Sequence, residues 1–217
     1  MLVVILTDGE AVASGLCEHP DAVVAARKRE ALIACQRLGV ETGSVRWLHL
    51  PDGKLPHPGQ PGFDEAGRAL LAEIEAFAPE EVYCPHLQDM HPDHIAATRL
   101  TLQALRLWSR PCSVFFYPVW MWYHASSGLR NRLDTTGAWR LDISEVLPDK
   151  ENAMAAYLDA SRTSRGHPYC GRLPWAFLQN FRRKYEIFFP ATSIASGMER
   201  GIGQLKAHGP RGPYDHD

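Results

Sequence analysis

Three times within the first hundred residues, a short apolar run rich in β-branched or aromatic residues is followed by a longer stretch with apolar residues at helical spacing. This alternation constrains the fold more than any other feature of the chain. Residues 2–6 (LVVIL), 45–50 (VRWLHL) and 81–84 (EVYC) read as strands. Residues 22–38, 63–77 and 95–108 read as helices: Val23, Ala26, Ala31, Ala34, Cys35 and Leu38 can face a sheet in the first, Ala66, Leu70, Leu71, Ile74 and Phe77 in the second, Ile95, Leu102, Leu105 and Trp108 in the third. Strand then helix, repeated, is the pattern of an α/β fold with a doubly wound, mostly parallel sheet and helices on both faces, three layers in all.

The rest of the chain is less regular. Residues 113–122 (SVFFYPVWMW) are the most aromatic stretch; the first half reads as a strand that Pro118 ends or confines to an edge. Residues 139–143 (WRLDI) suggest one more strand, residues 148–161 a helix, and residues 175–189 a second amphipathic helix packing through Trp175, Phe177, Leu178, Phe181, Tyr185 and Phe188. One domain over 1–200 is expected, with a Gly- and Pro-rich tail at 201–217 that frays and leaves His208 and His216 solvated.

Chemistry concentrates at Asp89-Met90-His91-Pro92-Asp93-His94, between the third strand and its helix. In open α/β sheets ligands bind outside the carboxyl ends of the strands, which is where this loop falls. Pro92 restricts how the two imidazoles are presented. One ring can bind a metal while the other acts on a substrate oxygen or a proton, with Asp89 and Asp93 near enough to orient them. The alternative is a capping segment in which Asp89 or Asp93 caps the helix. An earlier echo, His19-Pro20-Asp21, reads as structural, Asp21 capping the first helix and Gly39 closing it. Arg27 and Glu30, at i and i+3, can form a solvated ion pair. Trp120, Trp122, Tyr123 and His124 can line a pocket for a ring, pack in the core, or serve an interface between copies.

Composition narrows the partners. A formal charge of −2 gives no electrostatic case for nucleic acid or an anionic membrane. No apolar run approaches the ~20 residues needed to span a bilayer. Five dispersed cysteines without a CxxC argue for a reducing compartment, the cytoplasm, and against a thiolate metal site.

Taken in order, several segments resemble the PIG-L/LmbE family of zinc-dependent N-acetylglucosaminyl deacetylases. They are LTDGE at 6–10, Arg27-x-x-Glu30 with Ala34 and Leu38-Gly39-Val40, LPDGKL at 50–55, DMHPDH at 89–94, LDIS at 141–144 and RRKYEIFF at 182–189. The resemblance implies a Rossmann-like sheet and one Zn²⁺ per chain. By position, His94 is the zinc ligand, His91 the acid or oxyanion stabiliser, Asp93 its orienting partner, and Arg27, Asp52 and Glu10 contacts to an amino-sugar conjugate; Asp89 supports from behind. It also implies an earlier strand and an Ala-His-Pro-Asp-Asp-Glu loop that gives the metal a His and an Asp and the reaction its general base. This sequence opens after that point, so a start upstream of Met1 is expected. The expected activity is metal-dependent hydrolysis of a linear amide, with a non-catalytic sugar- or protein-binding member as the alternative.

Overall fold

The computed structural model describes residues 1–13, 20–121, 137–157 and 178–191. Along the chain run β1 (Val3–Thr7), α1 (Pro20–Arg37), β2 (Val45–Leu50), α2 (Phe63–Phe77), β3 (Glu81–Pro85), α3 (Pro92–Trp108), β4 (Ser113–Tyr117), β5 (Trp139–Asp142), α4 (Leu147–Ala155) and β6 (Tyr185–Pro190). The three strand–helix alternations expected of the first half are all present, and the protein is of the α/β class.

Pairing divides the strands into two groups. β1 runs parallel to β2, and β3 runs parallel to β4, in step from Glu81 opposite Ser113 to Pro85 opposite Tyr117. β6 lies antiparallel between β4 and β5, so the order is β3-β4-β6-β5. The strand–helix half thus supplies the parallel pairs and the C-terminal strands the antiparallel ones. Both groups share one core. Leu70 and Ile74 of α2, Leu100 and Leu105 of α3, Val114 and Phe116 of β4 and Phe189 of β6 form its buried centre, and Val4, Leu6, Leu48 and Leu50 pack against it from β1 and β2. Burial of several such side chains, each stabilising by roughly 1.5–3 kcal/mol, fixes the ends of β1, β2 and β3 relative to α3.

Several local expectations are corrected. Residues 185–190 are a strand rather than the end of a helix. The run YEIFFP lies between two strands, with Phe189 opposite Phe116 and Phe188 opposite Trp139. Aromatic residues on both faces of a central strand can imitate the apolar face of a helix, and pairing decides between them. Helix α1 begins at Pro20, so Asp21 falls inside its first turn instead of capping it. Gly39 does close α1, at φ 74°, with Val40 N–H donating to the Cys35 carbonyl at 2.9 Å; Leu38 is left 51% exposed, off the sheet. Phe77, at 47%, also faces outward. Helix α3 begins at Pro92, with His91 at its N-cap and no side-chain cap bond, so neither Asp89 nor Asp93 is a cap. β4 is internal, and Pro118 ends it.

Trp122, Tyr123, His124, His19, Trp175, Phe177, Cys17, Cys170, the end of the helix expected over 148–161, and the tail at 201–217 lie outside the described residues. Among those described, Cys35, Cys84 and Cys112 are free thiols, and no helix is long and apolar enough to cross a membrane.

Candidate functional site

The carboxyl end of β3 delivers the cluster. Thr98 of α3 donates its hydroxyl to the Pro85 carbonyl at 2.6 Å, tying the helix to the end of the strand. Between them, Asp89 is wholly buried. One carboxylate oxygen accepts the backbone N–H groups of Val119 and Met121, at 2.9 and 2.8 Å. The other bonds His94 Nδ1. Burial acts to raise the Asp89 pKa, but His94 and the two backbone donors outweigh it, and the carboxyl is held below its ordinary value. With Nδ1 engaged by a carboxylate, the proton of a neutral His94 sits on Nδ1. Its Nε2 is then the unprotonated nitrogen, with a free lone pair.

His91 packs on His94, ring centroids 4.6 Å apart, and stacks on Trp120 at 6.2 Å. Its Nδ1 is buried and has no hydrogen-bond partner among the described residues. Burial and then the neighbouring His94 lower its pKa, against the fields of Asp93, Asp89 and Asp52. Such a ring favours the neutral form, with one buried polar atom unmet among the described residues.

Asp93 was expected to orient His91. Its two oxygens instead accept backbone N–H groups from the turn after β2: Gly53 at 2.6 Å and Leu55 at 3.2 Å. Asp93 is 7% exposed, so this bond pair is buried. The same turn carries Asp52, whose carboxylate accepts the Thr7 hydroxyl and the Ala11 N–H, both at 3.0 Å. The Asp52 N–H donates to Glu10 at 2.7 Å. The ends of β1, β2 and β3 are thereby laced into one polar floor. Glu10 keeps its second oxygen buried and unpartnered among the described residues, as Arg27 keeps its Nε. Arg27 also lies in the field of Asp52: burial lowers its pKa while Tyr157 and then Asp52 act to raise it. Gly9, at φ 77°, lies against Arg27, and a Cβ there would meet its Cγ at 3.7 Å.

Every site residue named from the sequence therefore lies at the carboxyl ends of β1 to β3 or on the helices beside them, with two groupings: Asp89, His91 and His94 on one side, and Glu10, Arg27 and Asp52 on the other, joined by Asp93. The sequence did not reveal the donors that shape them, the N–H groups of Gly53, Leu55, Val119 and Met121, because a backbone amide carries no residue signature. Only the turn motif Pro51-Asp52-Gly53 hinted at the first pair.

His94, backed by a buried carboxylate, has the form of a metal-ligating imidazole. The set around it is short of a zinc shell, because the described residues contain no group of three or more His, Cys, Asp or Glu placed to hold a metal.

Residues 1–105 match the family model of PIG-L, the GlcNAc-PI de-N-acetylases. Among solved structures, the N,N'-diacetylchitobiose deacetylase of Pyrococcus horikoshii, bound to an inhibitor, superposes with a TM-score of 0.61 at 16% identity, covering 89% of this chain and 73% of its own. A conserved protein of Thermus thermophilus gives 0.51 at 22% identity, over 88% and 80% of the two chains. The zinc-inhibited form of a teicoplanin deacetylase gives 0.59 at 17% identity, over 87% and 86%. At such identities these likenesses are of fold.

Proposed function

We propose, from the premise that this is a PIG-L/LmbE-like chain, that it hydrolyses the amide of an N-acetylated, or similarly acylated, amino sugar or its conjugate with the help of zinc. The observation that carries the reading is the pairing of His94, fixed from behind by buried Asp89, with His91, whose buried Nδ1 lacks a partner among the described residues.

Each residue has a distinct task. His94 presents Nε2 as a ligand. Bound zinc would supply an activated water and polarise the amide carbonyl. His91 stabilises the oxygen on which charge develops or passes a proton toward the departing nitrogen. The C–N bond breaks, the acyl carbon keeps the oxygen of water, and the amine leaves with a proton. Arg27, Asp52 and Glu10 face the sugar hydroxyls, the unpartnered Arg27 Nε and Glu10 oxygen being a donor and an acceptor suited to them. Asp93 holds the turn that carries Asp52.

A zinc hydrolase of this kind needs further ligands and a general base beside His94 and His91.

Acetate release from an N-acetylglucosamine conjugate tests the reading, with the protein purified from its own source. His94→Ala is expected to abolish metal-dependent release; full activity in that variant would remove His94 from the mechanism. A panel of acyl-amino compounds lacking the sugar separates an amino-sugar deacetylase from an amidase of wider range.

A further inference from the structure

His49 has a backbone unlike its neighbours. Among the described residues, three that are not glycine have positive φ: His49, Ala78 and Ser109. Ala78 and Ser109 are helix C-caps, each donating its N–H back to its own helix, where such a conformation is ordinary. His49, at φ 52°, lies inside β2. The pairing explains why. Ile5 stands opposite Trp47, but Thr7 stands opposite Leu50, so β2 carries one residue more than β1 between the two pairs. That is a β-bulge, and His49 sits in it.

The side chain is held as well. His49 Nδ1 lies 2.9 and 3.0 Å from the two oxygens of Asp8, just past the end of β1. Lys28 of α1 reaches the same carboxylate at 3.2 Å and lies over the Trp47 ring, 5.5 Å from its centre. Immediately beyond the bulge comes the turn of residues 51–55, whose N–H groups meet Asp93 and whose Asp52 meets Thr7, Glu10 and Ala11. A one-residue bulge changes both the advance and the direction of the strand that leaves it.

We infer that His49, anchored by Asp8, is a positioning residue: its bulge sets where the 51–55 turn leaves β2, and so places Asp52 and the N–H groups that Asp93 receives. This rests on the proposed function only for its effect on turnover. A β-branched residue is poorly suited to φ near 52°, glycine adopts it freely, and asparagine both tolerates it and can hydrogen-bond.

Hydrogen exchange at the Gly53 and Leu55 amides, without substrate, tests the inference apart from any activity. His49→Asn is expected to keep both amides protected, and His49→Gly to keep the bulge with slightly faster exchange. His49→Val should speed exchange at Gly53 and Leu55 about tenfold or more while the amides of Leu100 and Phe116 stay protected. With an active preparation, His49→Val should raise KM more than it lowers kcat, and His49→Asn should restore both. If His49→Val unfolds the chain, Asp8→Ala decides, being expected to speed exchange at the same two amides alone. Unchanged protection of Gly53 and Leu55 in His49→Val, or in Asp8→Ala where that variant decides, overturns the inference.

Discussion

The carboxylate of Asp93 accepts the backbone N–H of Gly53 at 2.6 Å, across 40 residues of sequence. This bond fastens the loop after β2 to the first turn of α3, and with it joins the residues proposed to face the sugar to the two histidines. An acidic residue in the first turn also suits the positive end of a helix.

Asp93→Asn preserves shape but replaces one acceptor oxygen with an NH₂ group. Either Gly53 or Leu55 then loses its acceptor. Leaving one buried donor unmet costs about 1–3 kcal/mol. Urea unfolding should show a destabilisation of that size, and a midpoint equal to wild type would show that the bond contributes nothing.

Asp89→Asn addresses the imidazole. Two backbone N–H groups fix one side of the group as an oxygen, so the NH₂ must face His94 Nδ1. That nitrogen then has to accept, which moves the ring proton to Nε2, the atom proposed to bind the metal. A loss of about 10–100-fold in zinc affinity and turnover is expected, the usual range for such partners. Zinc titration followed by isothermal calorimetry reads it directly, and unaltered affinity would count against the assignment of His94.

Two thiols report on the core. Burial raises the Cys84 pKa to about 12 and, with the field of Glu81 second, that of Cys112 to about 11. Both stay protonated at about pH 8, so iodoacetamide should leave their peptides unmodified in the native protein and label them in urea. The sign for stability follows. Between the unfolded thiol pKa near 9 and these raised values, the unfolded chain holds fewer protons, so stability is full below about pH 9 and falls as pH rises toward about 12. Labelling of native Cys84 at about pH 8 at the rate of a free thiol would contradict its burial.

Phe116 is fully buried in β4, edge-on to His86 and paired with Phe189. Phe116→Ala should destabilise by roughly 3–5 kcal/mol through lost contact and a cavity. Thermal unfolding checks this; a loss under about 1 kcal/mol would mean that the core collapses to fill the space.

The first half of the fold could be read from the sequence because its elements carry local signals. Apolar strands alternate with amphipathic helices, and turn residues such as Gly39 stand between them. β6 could not be read so, since YEIFFP has aromatic and aliphatic residues on both faces and is a strand only because β4 and β5 lie beside it. The DMHPDH cluster was legible as a group of polar side chains that meet at the end of β3. The division of labour within it was not: Asp89 and Asp93 look alike in sequence, yet one bonds an imidazole and the other a distant turn. The bulge at His49 was invisible for the same reason, since an alternating VRWLHL pattern does not reveal an extra residue that exists only against its partner strand.

We propose His94 as a ligand of the zinc that takes part in hydrolysis of an N-acyl amino sugar. The most direct test is to measure acetate release and bound zinc together, on the protein from its own source and on His94→Ala. About one zinc per chain with acetate release is expected in the first, as the general single-metal hydrolytic site requires, and loss of both in the second. Sugar binding with neither zinc nor acetate release in the natural protein, or acetate release that persists in His94→Ala, would contradict it.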